Sequence, residues 1–163
     1  MSAALRSVEL CVPPDGRQSA TALAVATGTR RLLAGHGYAT ICEMTLASGR
    51  RADIVGLGRD GCIAIVEIKS SVADFRADGK WPEYQAYCDR LFFAVPTGFP
   101  TDILPDEAGL IVADAFGAAL VREPPEHRLA GARRKAVTLR FAHVAANRHH
   151  ILVDPAGAGG WMD

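Results

Sequence analysis

Apolar residues fall along this chain in short blocks separated by glycine and proline. From Gln18 to Ala34 (QSATALAVATGTRRLLA) Ala and Leu dominate and Gly35 follows, the composition and the stop of a helix. Tyr38 to Ala47 (YATICEMTLA) reads as a strand, Ser48-Gly49 as a turn, and Arg50 to Leu57 as a second strand. Gly58 to Gly61 marks another turn before CIAIVEIKS, a third strand dense in Ile and Val. Residues 72–89 turn helical with a break from Gly79 to Pro82, and Leu91 to Val95 is a short buried strand stopped by Pro96. A loop from Pro100 to Asp106 leads to a strand pair, Ala108–Ala113 and Ala118–Arg122, turned at Phe116-Gly117 and ended by Pro124 and Pro125. Lys135 to Asn147 reads as the last helix.

Pro13, Pro14 and Gly16 make residues 1–17 an irregular arm, and the glycine-rich end makes 151–163 a flexible tail. Residues 18–150 then form one domain, with no internal repeat and no linker to divide it. Helix, three strands, helix, strand, strand pair and helix predict an α/β domain whose central mixed sheet is flanked by helices. The 163 residues suffice for a core without disulfide or zinc staples. The cysteines (Cys11, Cys42, Cys62, Cys88) lack the short spacing of a zinc site, and Cys62 and Cys88 read as small core residues. No apolar leader precedes Pro13, and no stretch approaches the roughly 20 apolar residues of a membrane span, so a reducing cytoplasm and no membrane are expected.

Net charge is zero, so only its distribution is informative. Residues 121–150 hold seven Lys/Arg (Arg122, Arg128, Arg133, Arg134, Lys135, Arg140, Arg148) against Glu123 and Glu126. A basic segment in a neutral chain fits a polyanion, or else a solvated helix face.

The third strand carries the chemistry. Ile63, Ile65, Glu67 and Lys69 share one face, and Ala64, Val66, Ile68 and Ser70 share the other. An acid and an amine thus end a strand otherwise apolar enough to be central. Charges there must pair, face a wet cleft or bind a metal, because leaving them unpaired costs several kcal/mol. Asp53, on the preceding strand, can supply a second carboxylate. With Arg59-Asp60-Gly61 as the loop, Asp53 faces Glu67; with Gly58 to Gly61 as the loop, it faces Val66 and points away.

An Asp on one strand followed by E-x-K on the next resembles the PD-(D/E)xK phosphodiesterase superfamily. The αβββαβ order resembles its restriction-endonuclease-like core. The run GRRADIVGLGRDGCIAIVEIKSSVADFRADGKWPEYQAYCDRLFFAVP, with the later GLIVADAFGAALVRE and RRKAVTLRFAHVAANR, is similar to the MmcB-like DNA-repair family within that superfamily. The resemblance covers roughly residues 18–150. It implies a metal-dependent DNA endonuclease of DNA repair, with Asp53, Glu67 and the carbonyl of Ile68 holding Mg²⁺ or Mn²⁺. Lys69 would position or deprotonate the attacking water. It also implies DNA as partner, contacted by Arg51, Arg133, Arg134 and Lys135, with room for other repair proteins and for a homodimer.

The chain departs from the superfamily pattern at three places. Ala52 stands where the motif has Pro. Residues 18–34 contain none of the first-helix acid found in relatives, which leaves Glu43 as a second-line ligand. Gln85 begins a Gln-x-x-x-Tyr spacing, but Asp89 takes the Tyr position; Gln85 remains a candidate for contact with the site or substrate.

Several residues have plainer readings. Arg50 and Arg51 suit a strand edge as well as a phosphate. Trp81, Tyr84 and Tyr87 read as packing, Asp74 and Asp78 as helix-capping or solvated acids, and His149-His150 as partners of helix-end carbonyls. Two rivals to the nuclease remain. One is a catalytically weak or inactive DNA-binding repair accessory of the same fold. In the other, Glu67 and Lys69 are merely a buried ion pair, so that Glu67→Gln lowers stability.

Overall fold

The computed structural model describes residues 19–156. The arm over 1–17, Cys11 with it, and residues 157–163 of the tail lie outside the described residues.

Helix α1 (Ala20–Gly35) starts where the Ser19 side chain accepts a hydrogen bond from the Ala22 N–H at 3.1 Å, satisfying one of the first turn's orphan donors. Three antiparallel strands follow: β1 (Tyr38–Thr45), β2 (Arg51–Gly58) and β3 (Ile63–Ile68). Helix α2 (Val72–Ala77) and a 3₁₀ turn (Trp81–Tyr87) cross over to β4 (Arg90–Pro96), parallel to β3. Strand β5 (Gly109–Ala113) is parallel to β4, and β6 (Ala118–Arg122) returns antiparallel beside it. The mixed sheet has the order β1-β2-β3-β4-β5-β6. Its first six regular elements run αβββαβ, the restriction-endonuclease-like order expected.

Every residue of β3 is buried, as its apolar run predicts for a strand covered on both faces. On one face α1 packs Val25 and Leu33 over Ile54, Ala64, Val66 and Ile68. On the other, helix α3 (Gly131–Val153) and the 3₁₀ turn bring Val137, Phe141 and Tyr84 onto Val55, Ile65 and Phe93. Trp81 and Phe75 stand edge-on to Phe93 at 5.5 and 5.6 Å between centroids, so Trp81 is the packing residue expected. Contact between α1 and the β5–β6 turn is very close: a Cβ on Gly28 would lie 2.2 Å from the Gly117 carbonyl oxygen. Arg31 donates to the carbonyls of Ala115 and Phe116 in the same turn. These contacts fix the tilt of α1 and so the place of its N-terminus.

The β2–β3 register is the one that puts Asp53 opposite Glu67. Ile54 faces Val66 and Gly56 faces Ala64. Gly61 takes φ 83°, closing the three-residue loop Arg59-Asp60-Gly61, while the Gly58 N–H donates to Cys62 O at 2.8 Å.

Two details differ from the sequence expectation. Helix α3 runs from Gly131 to Val153, four residues earlier and six later than Lys135–Asn147, because nothing stops it before Pro155. Residues 151–153, expected in the tail, are therefore helical. Among the described residues Cys42 and Cys88 are the buried cysteines, whereas Cys62 is partly exposed. No helix among the described residues is long and apolar enough to cross a membrane.

Candidate metal centre

The β2–β3 ladder ends at Ile54–Val66, one pair short of Asp53 and Glu67. Beyond it the main-chain donors turn to carboxylates. The Asp53 N–H donates to Glu67 Oε1 at 3.3 Å, and the Ile68 N–H donates to Asp53 Oδ2 at 2.7 Å. The strands thus fork, and the two acids occupy the fork. Each carboxylate accepts a backbone N–H through one oxygen, and both residues line one cavity.

At the same level β1 departs from strand geometry. Cys42 pairs with Ile54 and Met44 with Ala52, but Glu43 and Asp53 between them do not pair. Glu43 has φ 51°, the only positive φ of a non-glycine among the described residues. Such a conformation costs on the order of 1–3 kcal/mol and needs support from its surroundings. Side chains two apart on a regular strand share a face. Here Cys42 and Ile54 join the α1-side core, while Met44 and Ala52 join the α3-side core. The switch of faces happens at Glu43 and Asp53.

Lys69 follows β3, its N–H donating to Ala94 O at 2.9 Å, and it is only 4% exposed. Its ammonium pairs with Asp78 Oδ2 at 2.5 Å, not with Glu67. Asp78 is the C-cap residue of α2, and its other oxygen accepts from the Lys80 N–H at 3.0 Å. The buried Glu67–Lys69 ion pair considered from the sequence is therefore corrected: the intervening turn brings Asp78 to the lysine.

A cavity of about 300 Å³ opens at the fork. Asp53, Glu67, Ile68 and Lys69 line it on the sheet side, Ser19 and Ala22 on the α1 side, and Ser70 and Asp74 opposite. Burial pushes the Glu67 carboxyl up to about 9, the charge of Asp53 adds to the rise, and Lys69 opposes it. Asp53 is also raised by burial, against the Ile68 hydrogen bond and Lys69. Two desolvated acids side by side, with the nearest ammonium held by a third acid, keep the proton on Glu67 in the metal-free chain, and a bound cation would displace it.

The donors are all oxygens, which suits Mg²⁺ or Mn²⁺. Two carboxylates and the Ile68 carbonyl would make an incomplete set for such an ion, which water would have to complete. No group of three or more His, Cys, Asp or Glu among the described residues is placed to hold an ion.

The other expected site residues are dispersed. Glu43 has a side chain 7% exposed, 3.6 Å from the guanidinium of Arg51, and its charge contributes to the rise at Asp53. Arg51 is half-exposed. Gln85 lines a separate cavity of about 210 Å³ with Cys88, Asp89, Leu91 and Glu107, so it does not join the fork. Arg134 donates to both oxygens of Asp89 and to the Gly61 carbonyl, which commits it to the fold. Arg133 lies over the Tyr87 ring at 4.7 Å, while Lys135 is exposed. Because Gly61 precedes β3 and Glu67 lies near its far end, this basic turn stands about 20 Å from the fork.

A family model of DNA repair proteins, described as MmcB-like, matches residues 11–156. The chain belongs to the MmcB-like family. A protein of unknown function from Silicibacter pomeroyi is 45% identical over 89% of this chain and 99% of its own, with a TM-score of 0.84. A repair endonuclease from Pyrococcus abyssi matches 69% of this chain and 50% of its own at 18% identity, with a TM-score of 0.38. No curated protein matches the chain.

Three residues of this MmcB-like chain were not legible as site partners. Asp78 looked like a capping acid, because only the tertiary turn aims it at Lys69. Asp89 collects the N–H groups of Ile63 and Leu129 as well as Arg134, joining the start of β3 to the start of α3. Arg148 donates to Cys42 O at 2.5 Å and Glu43 O at 3.1 Å, from 105 residues along the chain.

Proposed function

We propose that this chain is a cytoplasmic, metal-dependent DNA endonuclease of the PD-(D/E)xK type, acting in DNA repair. The observation that carries this reading is the fork itself: the buried carboxylate of Glu67 and the partly buried one of Asp53 share a cavity with buried Lys69.

The carboxylates of Asp53 and Glu67, with the Ile68 carbonyl, would hold Mg²⁺ or Mn²⁺. When bound, the ion polarises the phosphate and acidifies water. Lys69, kept in place by Asp78, presents a fixed positive charge to a phosphate oxygen or to the attacking water. Its ion pair favours that electrostatic role over proton abstraction. Ser19 and Ala22 are small enough to leave the α1 side of the cavity open to a DNA strand. Exposed Lys135 and half-exposed Arg51 supply sequence-independent contacts to more distant phosphates. Arg134 supplies none, since its donors are spent on Asp89 and Gly61.

A second reading, a DNA-binding repair accessory without catalysis, has one observation behind it: α1 meets the cavity with Ser19 and Ala22 and brings no acid there. Labelled duplex, single-stranded, flapped and branched DNAs, incubated with Mg²⁺, Mn²⁺ or EDTA, separate the two. Metal-dependent cleavage that disappears in folded Lys69→Ala supports the nuclease. Binding of the same DNAs without cleavage of any supports the accessory.

A further inference from the structure

The two edges of the sheet are finished differently. Along β1, helix α3 binds main-chain carbonyls with its arginines: Arg140 takes Thr45 O, and Arg148 takes Cys42 O and Glu43 O. The left-handed Glu43 also interrupts the strand there. Covering an edge and distorting it both keep a sheet from adding strands.

Strand β6 has neither protection. It is the last strand of the sheet, and no loop among the described residues bonds its main chain from the outer side. Residues 118–121 (Ala-Ala-Leu-Val) hold no proline and no charge. Its register with β5 shows which groups are open. The Asp114 N–H donates to Gly117 O, and Ala113–Ala118, Val112–Ala119 and Ile111–Leu120 pair in turn. By the alternation of an antiparallel ladder, Ala119 bonds to β5, while the N–H and C=O of Ala118 and Leu120 point outward. The register shift, between Leu110 and Ile111, comes beyond these pairs. Apolar side chains flank the open main chain: Phe116 is 85% exposed and Val121 58%.

The charged side chains next to the strand are engaged within the chain. Arg122 donates to Asp106 and to the carbonyls of Pro105 and Ala108. Glu123 pairs with Arg90, and Asp114 accepts the N–H groups of Phe116 and Gly117. This leaves little charge to favour an acidic or basic partner, and little to repel an identical edge.

We propose that β6 pairs antiparallel with β6 of a second copy of this chain, about a two-fold axis at Ala119, to form a homodimer with one continuous sheet. Ala118 of each copy exchanges N–H···O bonds with Leu120 of the other. Val121 comes opposite Gly117 of the second copy, where an added Cβ would meet nothing within 4 Å, so the space for it exists. Because the β1 edge is covered, β6 cannot extend β1 of another molecule, and the assembly closes at two. So short a pairing is smaller than a standard interface, and a micromolar dissociation constant is expected.

The test is the mass of the full chain in solution, by analytical ultracentrifugation across micromolar to millimolar concentrations, with neither metal nor DNA present. Val121→Lys puts a charge on the edge, and Ala118→Pro removes an outward donor while sparing the β5 ladder. Each is expected to raise the dissociation constant about ten-fold or more. Leu139→Lys, at an exposed apolar position of α3, is expected to leave it unchanged. Should Ala118→Pro fail to fold, Val121→Lys, at an exposed position, carries the test alone. A dimer that Val121→Lys leaves intact, or that Leu139→Lys dissolves, uses another face and overturns the proposal. A chain monomeric throughout also overturns it, and leaves β6 to a strand of some other protein. Every outcome leaves the reading of the fork untouched.

Discussion

Replacing Glu67 by Gln is expected to stabilise the metal-free protein. The ordinary pKa of a Glu is 4.5, and in the folded chain this carboxyl is pushed up to about 9 by burial and by Asp53. Above pH 4.5 the unfolded chain can release the proton while the folded chain keeps it. A folded pKa above the unfolded one gives stability that is complete below pH 4.5 and is lost as pH rises toward 9. At pH 7 the loss amounts to about 3 kcal/mol, at roughly 1.4 kcal/mol for each pH unit above the unfolded value. Gln resembles the protonated acid in shape and does not titrate, so the variant escapes this loss. Lys69 suffers nothing from the change, since its partner is Asp78. Urea unfolding in EDTA should show Glu67→Gln more stable than wild type by about 3 kcal/mol at pH 7, with the gap closing toward pH 4.5. Saturating Mg²⁺ should stabilise wild type and not the variant. A variant less stable than wild type at pH 7, or a gap that ignores pH, would refute the reasoning and restore the direct Glu67–Lys69 pair.

Four further outcomes follow. Asp78→Asn leaves the buried Lys69 ammonium without its counter-charge, so urea unfolding should show a loss of about 3 kcal/mol, and cleavage should fall while Mn²⁺ affinity holds. Asp89 is opposed by burial, but the bonds from Arg134, Ile63 and Leu129 prevail and hold it below its ordinary value. Its stabilisation is therefore present above that ordinary value and lost as pH falls through the depressed one, and acid titration of Asp89→Asn should lack this component. Lys135→Ala should weaken DNA binding evenly across sequences and reduce the salt slope by about one, measured by fluorescence anisotropy at several salt concentrations. Arg134→Ala should instead lower the unfolding midpoint.

Much of this architecture could be read before the structure. Two β2–β3 registers were open from the residues alone, one with Asp53 opposite Glu67 and one with it opposite Val66, and the ladder has the first. The element order was equally plain, because each strand is bounded by glycine or proline. What could not be read depends on contacts distant in sequence. No strand pattern predicts the left-handed Glu43, since its support comes from α3. The partner of Lys69 depends on the short α2 and the turn after it. Arg134 looked like a surface cation until Asp89 and the Gly61 carbonyl were seen to occupy it. Gln85 followed a motif spacing, but the 3₁₀ turn that carries it places it on another cavity.

The central claim is that Asp53 and Glu67 form the metal site of a nuclease. Its most direct test is a time course of one labelled DNA substrate with Mg²⁺, using wild type and an Asp53→Asn variant shown to be folded. The account predicts cleavage by wild type that EDTA stops and that Asp53→Asn lacks. Cleavage of equal rate by Asp53→Asn, or cleavage indifferent to EDTA, would contradict it.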